Sequence, residues 1–173
     1  MGNPTDPAAS SSPACRAIRP EDAEALSRFF ERLRAQGVEK FFHPHPFTAE
    51  EAAKRAADTG RDFYCLLTQE NEIMGYGMLR GWDAGYAIPS LGIVIDPGAQ
   101  GHGHGRRLME FLHTTARQRG ASHIRLKVYL ENIRAMTLYR SLGYVFQSEE
   151  GGQAVGLLAL TPTNAASQKE SAE

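Results

Sequence analysis

The residues Gln100-Gly101-His102-Gly103-His104-Gly105-Arg106 can hold an anion with their main chain alone. Ile93-Val94-Ile95 before them are β-branched throughout, as a buried strand requires. Asp96-Pro97 stops that strand, because proline has no N–H for a sheet ladder. From Arg107 onward Leu108, Met109, Leu112 and Ala116 recur at helical spacing, so a helix begins where the glycines end. A glycine-rich turn feeding a helix N-terminus presents several backbone N–H groups at the positive end of the helix dipole, which suits phosphate above all. A dinucleotide fingerprint would need glycine where Arg106 stands, and a P-loop would need Gly-Lys followed by Ser or Thr, which occurs nowhere in the chain. What remains is Q-x-x-G-x-G, carried by Gln100, Gly103 and Gly105. Taken alone, it fits a phosphate cradle and a tight surface turn equally.

A second pattern lies downstream. The strand-like Ile124-Arg125-Leu126-Lys127-Val128-Tyr129 precedes Asn132, Ala135, Leu138, Tyr139, Gly143 and Tyr144. Asn132 and Tyr139 are seven residues apart, so on a helix they stand on one face, two turns from each other. The two stretches resemble [RQ]-x-x-G-x-[GA] and N-x-x-A-x-x-L-Y-x-x-x-G-[FY], the paired signatures of the GCN5-related N-acetyltransferase superfamily, in the same order and separation. The resemblance spans about residues 14–161 and implies acetyl-CoA as co-substrate. It implies that Ile93, Val94 and Ile95 lend backbone groups to the pantetheine arm. Gln100, Gly101, His102, Gly103, His104, Gly105 and Arg106 would hold the diphosphate, with His102 and His104 in positions that vary widely in the family. Asn132 would meet the coenzyme near its pantetheine, a role compatible with capping the helix. Tyr139 would protonate the departing sulfur, for which a phenol near pKa 10 has the proton to give.

The base is less legible. A lysine-like ammonium is deprotonated in about one molecule in a few thousand at pH 7, an α-amine in about one in ten, so a proton acceptor is useful. Family members that acetylate protein N-termini often carry glutamate five positions before the asparagine, where this chain has Lys127. Phe41-Phe42-His43-Pro44-His45-Pro46-Phe47 offers His43 and His45 as bases or substrate contacts, or else a stiff aromatic loop. Trp82, Asp83, Tyr86 and Ser90 border the central strand and are candidates for an acceptor pocket; Asp83 reads equally as a turn residue beside Gly81 and Gly85. The expected activity is acetyl transfer to a small-molecule amine: an amino sugar, amino acid or polyamine. A protein N-terminal or lysine acceptor is the alternative, and a non-catalytic acyl-CoA sensor the alternative of another class.

Residues 101–140 hold eight Lys and Arg against two acids, a surplus of six, in a chain whose net charge is −1, so the remainder carries −7. That asymmetry suits a polyanionic ligand, while the balanced total and the lack of interleaved aromatics count against nucleic acid. No metal is expected, since the scattered histidines lack ligand spacing. No run reaches the ~18 apolar residues of a membrane span, no signal pattern opens the chain, and Cys15 and Cys65 read as buried free thiols, so a cytoplasmic monomer or homodimer is expected.

These residues need a scaffold, and 173 residues suffice for one domain, expected over 14–161, with disordered tails at 1–13 and 162–173. The pattern predicts strands at 15–19, 63–69, 72–80, 86–95, 124–129, 144–147 and 154–160. It predicts helices at 21–34, from Thr48 to near Gly60, from Arg107, and after Asn132. The fold class is therefore α/β, and the resemblance implies a central mixed, mostly antiparallel sheet flanked by about four helices.

Overall fold

Two runs buried almost continuously because both faces are covered, Phe63–Gln69 (β2) and Glu72–Arg80 (β3), form the hairpin on which the sheet is laid. Glu70 and Asn71 join them with φ of 51° and 67°, the left-handed pair whose twist matches that of the flanking strands. The computed structural model describes residues 12–161, and in it five more strands extend the hairpin. They are β1 (Ala14–Ala17), β4 (Ser90–Ile95), β5 (His123–Tyr129), β6 (Val145–Glu150) and β7 (Gln153–Ala159). Their order is β1-β2-β3-β4-β5-β7-β6, antiparallel throughout except for β4 with β5. Helices α1 (Ala23–Ala35) and α2 (Ala49–Ala56) cover one face; α3 (His104–Gln118) and α4 (Ile133–Ser141) cover the other. The mixed sheet with four helices is the expected architecture. The tails assigned to 1–13 and 162–173 lie outside the described residues, Ser12 and Pro13 excepted.

Packing fixes the helices. Leu26, Phe29, Phe30 and Leu33 of α1 are fully buried and meet Leu66, Tyr76 and Met78 on the sheet. At about 1.5–3 kcal/mol for each buried side chain, this stripe rather than helix propensity holds α1 in place. On the other face α3 is pressed close: a Cβ on Gly77 would lie 3.0 Å from Leu112 Cδ1 and 3.2 Å from Cys65 Sγ. That contact delivers the N-terminus of α3 to the end of β4.

Strands β4 and β5 meet at a single register pair, Ser90 with Arg125, beside which the Arg125 N–H donates to the Pro89 carbonyl at 3.0 Å. Beyond it they diverge, and the edge of β4 stands unpaired. The Asp96 N–H donates to the Met74 carbonyl at 2.9 Å, so by antiparallel alternation Val94, opposite Tyr76, also turns its peptide groups toward β3. Ile93 and Ile95 turn theirs into the gap. Of the three residues expected to lend backbone groups there, Val94 is the exception, for this reason of phase.

Three of the boundaries that differ from expectation bear on the site. The central strand begins at Ser90 rather than Tyr86, because the Tyr86 N–H donates to the Gly81 carbonyl at 2.9 Å and closes a loop. Helix α3 begins at His104 rather than Arg107, with Gly103 at φ 78° making the entry turn. Helix α2, capped by Thr48 Oγ1 accepting from the Glu51 N–H at 3.1 Å, stops at Ala56. After it the chain enters a knot of carboxylates. Asp83 accepts from the Arg61 N–H at 2.7 Å, and Asp62 accepts from the Gly81 and Asp83 N–H groups at 2.8 and 3.1 Å.

Candidate functional site

The diverging strands leave a groove of about 1490 Å3, larger than the ~300–1,000 Å3 of an ordinary small-ligand pocket. The whole of β4 lines it, with the turn before α3 at one end and Phe41–Pro44, Tyr86 and Ile88 at the other.

At the first end the main chain is bare. The amides of Gly101, His102, Gly103, His104, Gly105 and Arg106 have no acceptor among the described residues; the first helical bond is that of the Arg107 N–H to the Gly103 carbonyl at 3.0 Å. Gly101 and Gly103 have φ of 85° and 78°, and a Cβ on Gly103 would project into open space. Glycine there both permits the turn and leaves the amides uncovered. Side chains from α4 brace the turn from behind: Arg134 Nη1 donates to Gln100 Oε1 at 3.0 Å, and Arg106 Nη2 to Ser141 Oγ at 2.7 Å. Two guanidinium groups thus flank a row of free N–H donors, and a diphosphate fits this set.

Gln100, Gly101, Gly103, His104, Gly105 and Arg106 line the groove; the His102 side chain turns back toward the Ala99 carbonyl, 3.4 Å from Nδ1. His104 is buried, and burial, with the His102 and Arg107 charges adding, lowers its pKa from the ordinary value. Asn132 lines the groove and caps α4, its Oδ1 accepting from the Ala135 N–H at 3.2 Å, which leaves its NH2 for another partner. Tyr139, on the same wall, is buried, and desolvation pushes its pKa up to about 12. Its hydroxyl has no hydrogen-bond partner among the described residues. Its ring lies 5.8 Å from that of Tyr144, whose hydroxyl is bonded to His113 Nε2 at 2.9 Å.

The expected acceptor residues separate. His43 lines the groove, its ring edge-on to Tyr129 at 5.3 Å and its Nε2–H donating to the Lys40 carbonyl at 3.2 Å, which leaves Nδ1 as an acceptor. His45 does not reach the groove. It is buried among Phe30, Phe42, Phe47 and Tyr76, with Nδ1–H donating to the Pro46 carbonyl at 2.9 Å and Nε2 accepting from the Tyr76 hydroxyl at 3.0 Å. Both nitrogens are committed, and burial lowers its pKa. His45 is a core histidine, its aromatic neighbours being the reason. Trp82 is likewise in the core, with Arg119 over its ring at 5.1 Å. Asp83 borders the groove, but the Arg61 amide foremost holds its carboxyl below the usual range, so it stays an ionised turn residue. The cysteines play no part here: burial raises both thiols, Cys65 the more.

The charge surplus of residues 101–140 gave no hint of how the far end is built. Arg80 pairs with Ser90, which pairs with Arg125, so the three stand in a row across β3, β4 and β5 at the vertex of the gap. Lys127 is two residues along β5, on the same side by strand alternation. Glu150, from β6, takes Arg125 Nη2 at 3.3 Å and Lys127 Nζ at 2.5 Å. Lys127, by hydrogen bond and then by charge, holds the Glu150 carboxyl below its usual range. The alternation of Arg125 and Lys127 with Ile124, Leu126 and Val128 is the sequence signal that could have placed both on the groove side. Nothing in the sequence marks Glu150 or Arg134.

The description "Acetyltransferase (GNAT) family" belongs to the family model that matches residues 24–144. Streptothricin acetyltransferase of Streptomyces lavendulae is 43% identical over 54 residues, so the chain spans 29% of that protein's length, and the match covers 31% of this chain. Solved structures agree over most of the chain. The GNAT domain of S. lividans PAT superposes with a TM-score of 0.74 at 18% identity, covering 84% of this chain and 89% of that one. The ribosomal-protein-S5-alanine acetyltransferase of Vibrio fischeri gives 0.73 at 17%, covering 86% and 93%. A GNAT-family acetyltransferase of Streptococcus pneumoniae gives 0.72 at 22%, covering 87% and 100%. At these identities the likeness concerns the fold.

Proposed function

Because the chain belongs to the acetyltransferase (GNAT) family, we propose that it is an N-acetyltransferase that moves an acetyl group from acetyl-CoA to the amine of a small molecule within a ternary complex. The observation that carries this is the row of six unpartnered amides from Gly101 to Arg106 at the head of the groove, with Tyr139 farther along its wall. Acetyl-CoA supplies the acetyl group already activated as a thioester. In this reading the six amides, with Arg134 and Arg106 beside them, hold the diphosphate, and Asn132 meets the pantetheine. The inward-turned peptide groups of Ile93 and Ile95 continue the hold along β4. The Ile93 N–H is the donor placed to meet negative charge building on the thioester oxygen, a preorganised contribution worth roughly 3 kcal/mol in such sites.

As the C–N bond forms and the C–S bond breaks, Tyr139 gives its hydroxyl proton to the sulfur and regains one from solvent, which receives the proton the amine loses. A pKa near 12 keeps that proton in place at every physiological pH. The amine's own proton leaves through His43, whose Nδ1 is the free imidazole acceptor at the mouth, or through water. A protein amine is the second reading, favoured by the open mouth where Tyr86 is 68% and Phe41 41% exposed.

The test is release of free coenzyme A thiol from acetyl-CoA across a panel of amino acids, amino sugars, polyamines and amine-ended peptides. Turnover with a small amine supports the proposal, and turnover with peptides alone moves the acceptor to protein. Tight coenzyme binding with no thiol release from any member would identify a sensor.

A further inference from the structure

The far end of the groove carries more positive charge than its fold uses. Arg125 and Lys127 share one carboxylate, that of Glu150, and their side chains remain 34% and 36% exposed, open to a ligand. Arg80 donates through Nη1 to the Pro44 carbonyl at 2.7 Å and has no ion-pair partner among the described residues. Strand spacing puts Arg80 and Arg125 about 10 Å apart with Ser90 between them, all lining the groove where β4 and β5 part. Asp62 and Asp83, at the same end, do not offset this charge at short range. Each is turned to backbone amides of the carboxylate knot, and neither is ion-paired to an arginine or lysine of the floor. Glu150 also shows the shape of ligand that Arg125 and Lys127 accept. Arg125 Nη2 lies 3.3 Å from both carboxylate oxygens, and Lys127 Nζ lies 2.5 Å from one. Around this cationic floor Phe41, Tyr86 and Ile88 line the groove while exposing apolar surface to water.

Resting on the N-acetyltransferase reading, we propose that the acceptor is an amino-acid-like molecule whose carboxylate is held by Arg125 and Lys127, with an apolar side chain laid against Phe41, Tyr86 and Ile88. Glu150 occupies the two cations when no acceptor is bound and competes with the incoming carboxylate. A polyamine or other polycation is disfavoured at the same place by three like charges.

The experiment compares phenylalanine, leucine and tyrosine with their carboxamides, which remove the negative charge, each rate and affinity being referred to the free-base fraction of that amine because amidation also lowers the amine pKa. Thiol release gives kcat/KM, and calorimetry on the coenzyme A complex gives affinity without requiring turnover. At least one acid is expected to exceed its amide by about tenfold, the worth of one charge-assisted hydrogen bond. Arg125→Gln and Lys127→Gln should bring that ratio close to one while leaving acetyl-CoA affinity unchanged. Glu150→Gln should raise the ratio above wild type, since it frees both cations, and a merely structural Glu150 would not do so. Equal or better performance by every amide, absence of binding by either form, or a Glu150→Gln loss shared by acids and amides would each overturn the proposal. Thiol release from other amines in any of those cases leaves the N-acetyltransferase reading standing. Acid-selective binding without thiol release would instead uphold the acceptor site and sink the transfer reading.

Discussion

One end of the groove is made of main chain and the other of side chains. At the α3 end, six amides have no acceptor among the described residues, where two glycines take left-handed conformations just before a helix starts. At the other end, Arg80, Arg125, Lys127 and Glu150 come from three strands, and only the register of the sheet brings them together. A site made of peptide groups is the same in any chain that can adopt its turn. A site made of side chains is as individual as the residues it gathers. In the proposed reading, that difference separates a shared donor from a private acceptor.

The largest effect tests whether chemistry lies between the two ends. Tyr139→Phe should lower kcat by about a hundredfold or more, the usual worth of a positioned general acid, with acetyl-CoA affinity within twofold of wild type. Steady-state rates and calorimetry check this together, and unchanged kcat would remove Tyr139 from the reaction. Because burial holds its pKa near 12, the wild-type rate should show no loss from tyrosine ionisation between pH 8 and 10.

Next, Gly103→Val covers the amides and forces a β-branched residue to a φ of 78°. Strain of roughly 1–2 kcal/mol should appear as a lower Tm, and acetyl-CoA affinity should fall by more than tenfold. An unaltered affinity would break the contrast between the ends, since the main chain would then not be the ligand.

A smaller change, Arg134→Gln, should weaken coenzyme binding about two- to fivefold at low salt and less as ionic strength rises. Titrations at two salt concentrations read that slope, and a salt-independent change would assign Arg134 to bracing Gln100 rather than to charge.

The geometry of the α3 end was readable in the sequence because its determinants are local. Gln100, Gly103 and Gly105 are neighbours, and Asn132 and Tyr139 share a helix face. The strand preceding the turn was equally plain, although only the sheet's phase shows that Val94 faces β3 while Ile93 faces the gap. The opposite end was not readable. His43 and His45 are two residues apart with Pro44 between them, yet packing against Phe30, Phe42 and Phe47 takes one into the core and leaves the other at the mouth. Glu150 is 23 residues from Lys127, across a helix and a strand, and no local pattern encodes their meeting.

The last effect is read in stability rather than in binding or rate, and concerns the packing behind the α3 end. His113, on the buried face of α3 and bonded to Tyr144, has a pKa lowered by burial to about 4, against about 6.5 in an unfolded chain. Between those values the unfolded chain binds the extra proton, so stability should rise with pH through this window and be lost as pH falls toward 4. Denaturant titrations at pH 4.5 and 7 on wild type and His113→Asn should show the slope flattened in the variant. An equal slope would place the acid sensitivity elsewhere.

The central claim is that bare amides at one helix start hold a diphosphate. Amide NMR of the 15N-labelled protein tests it directly, by titration with coenzyme A and, separately, with pantetheine, which lacks the phosphates. The account predicts large shifts of the Gly101–Arg106 amides with coenzyme A and small ones with pantetheine. Those six signals standing still while coenzyme A binds would contradict it.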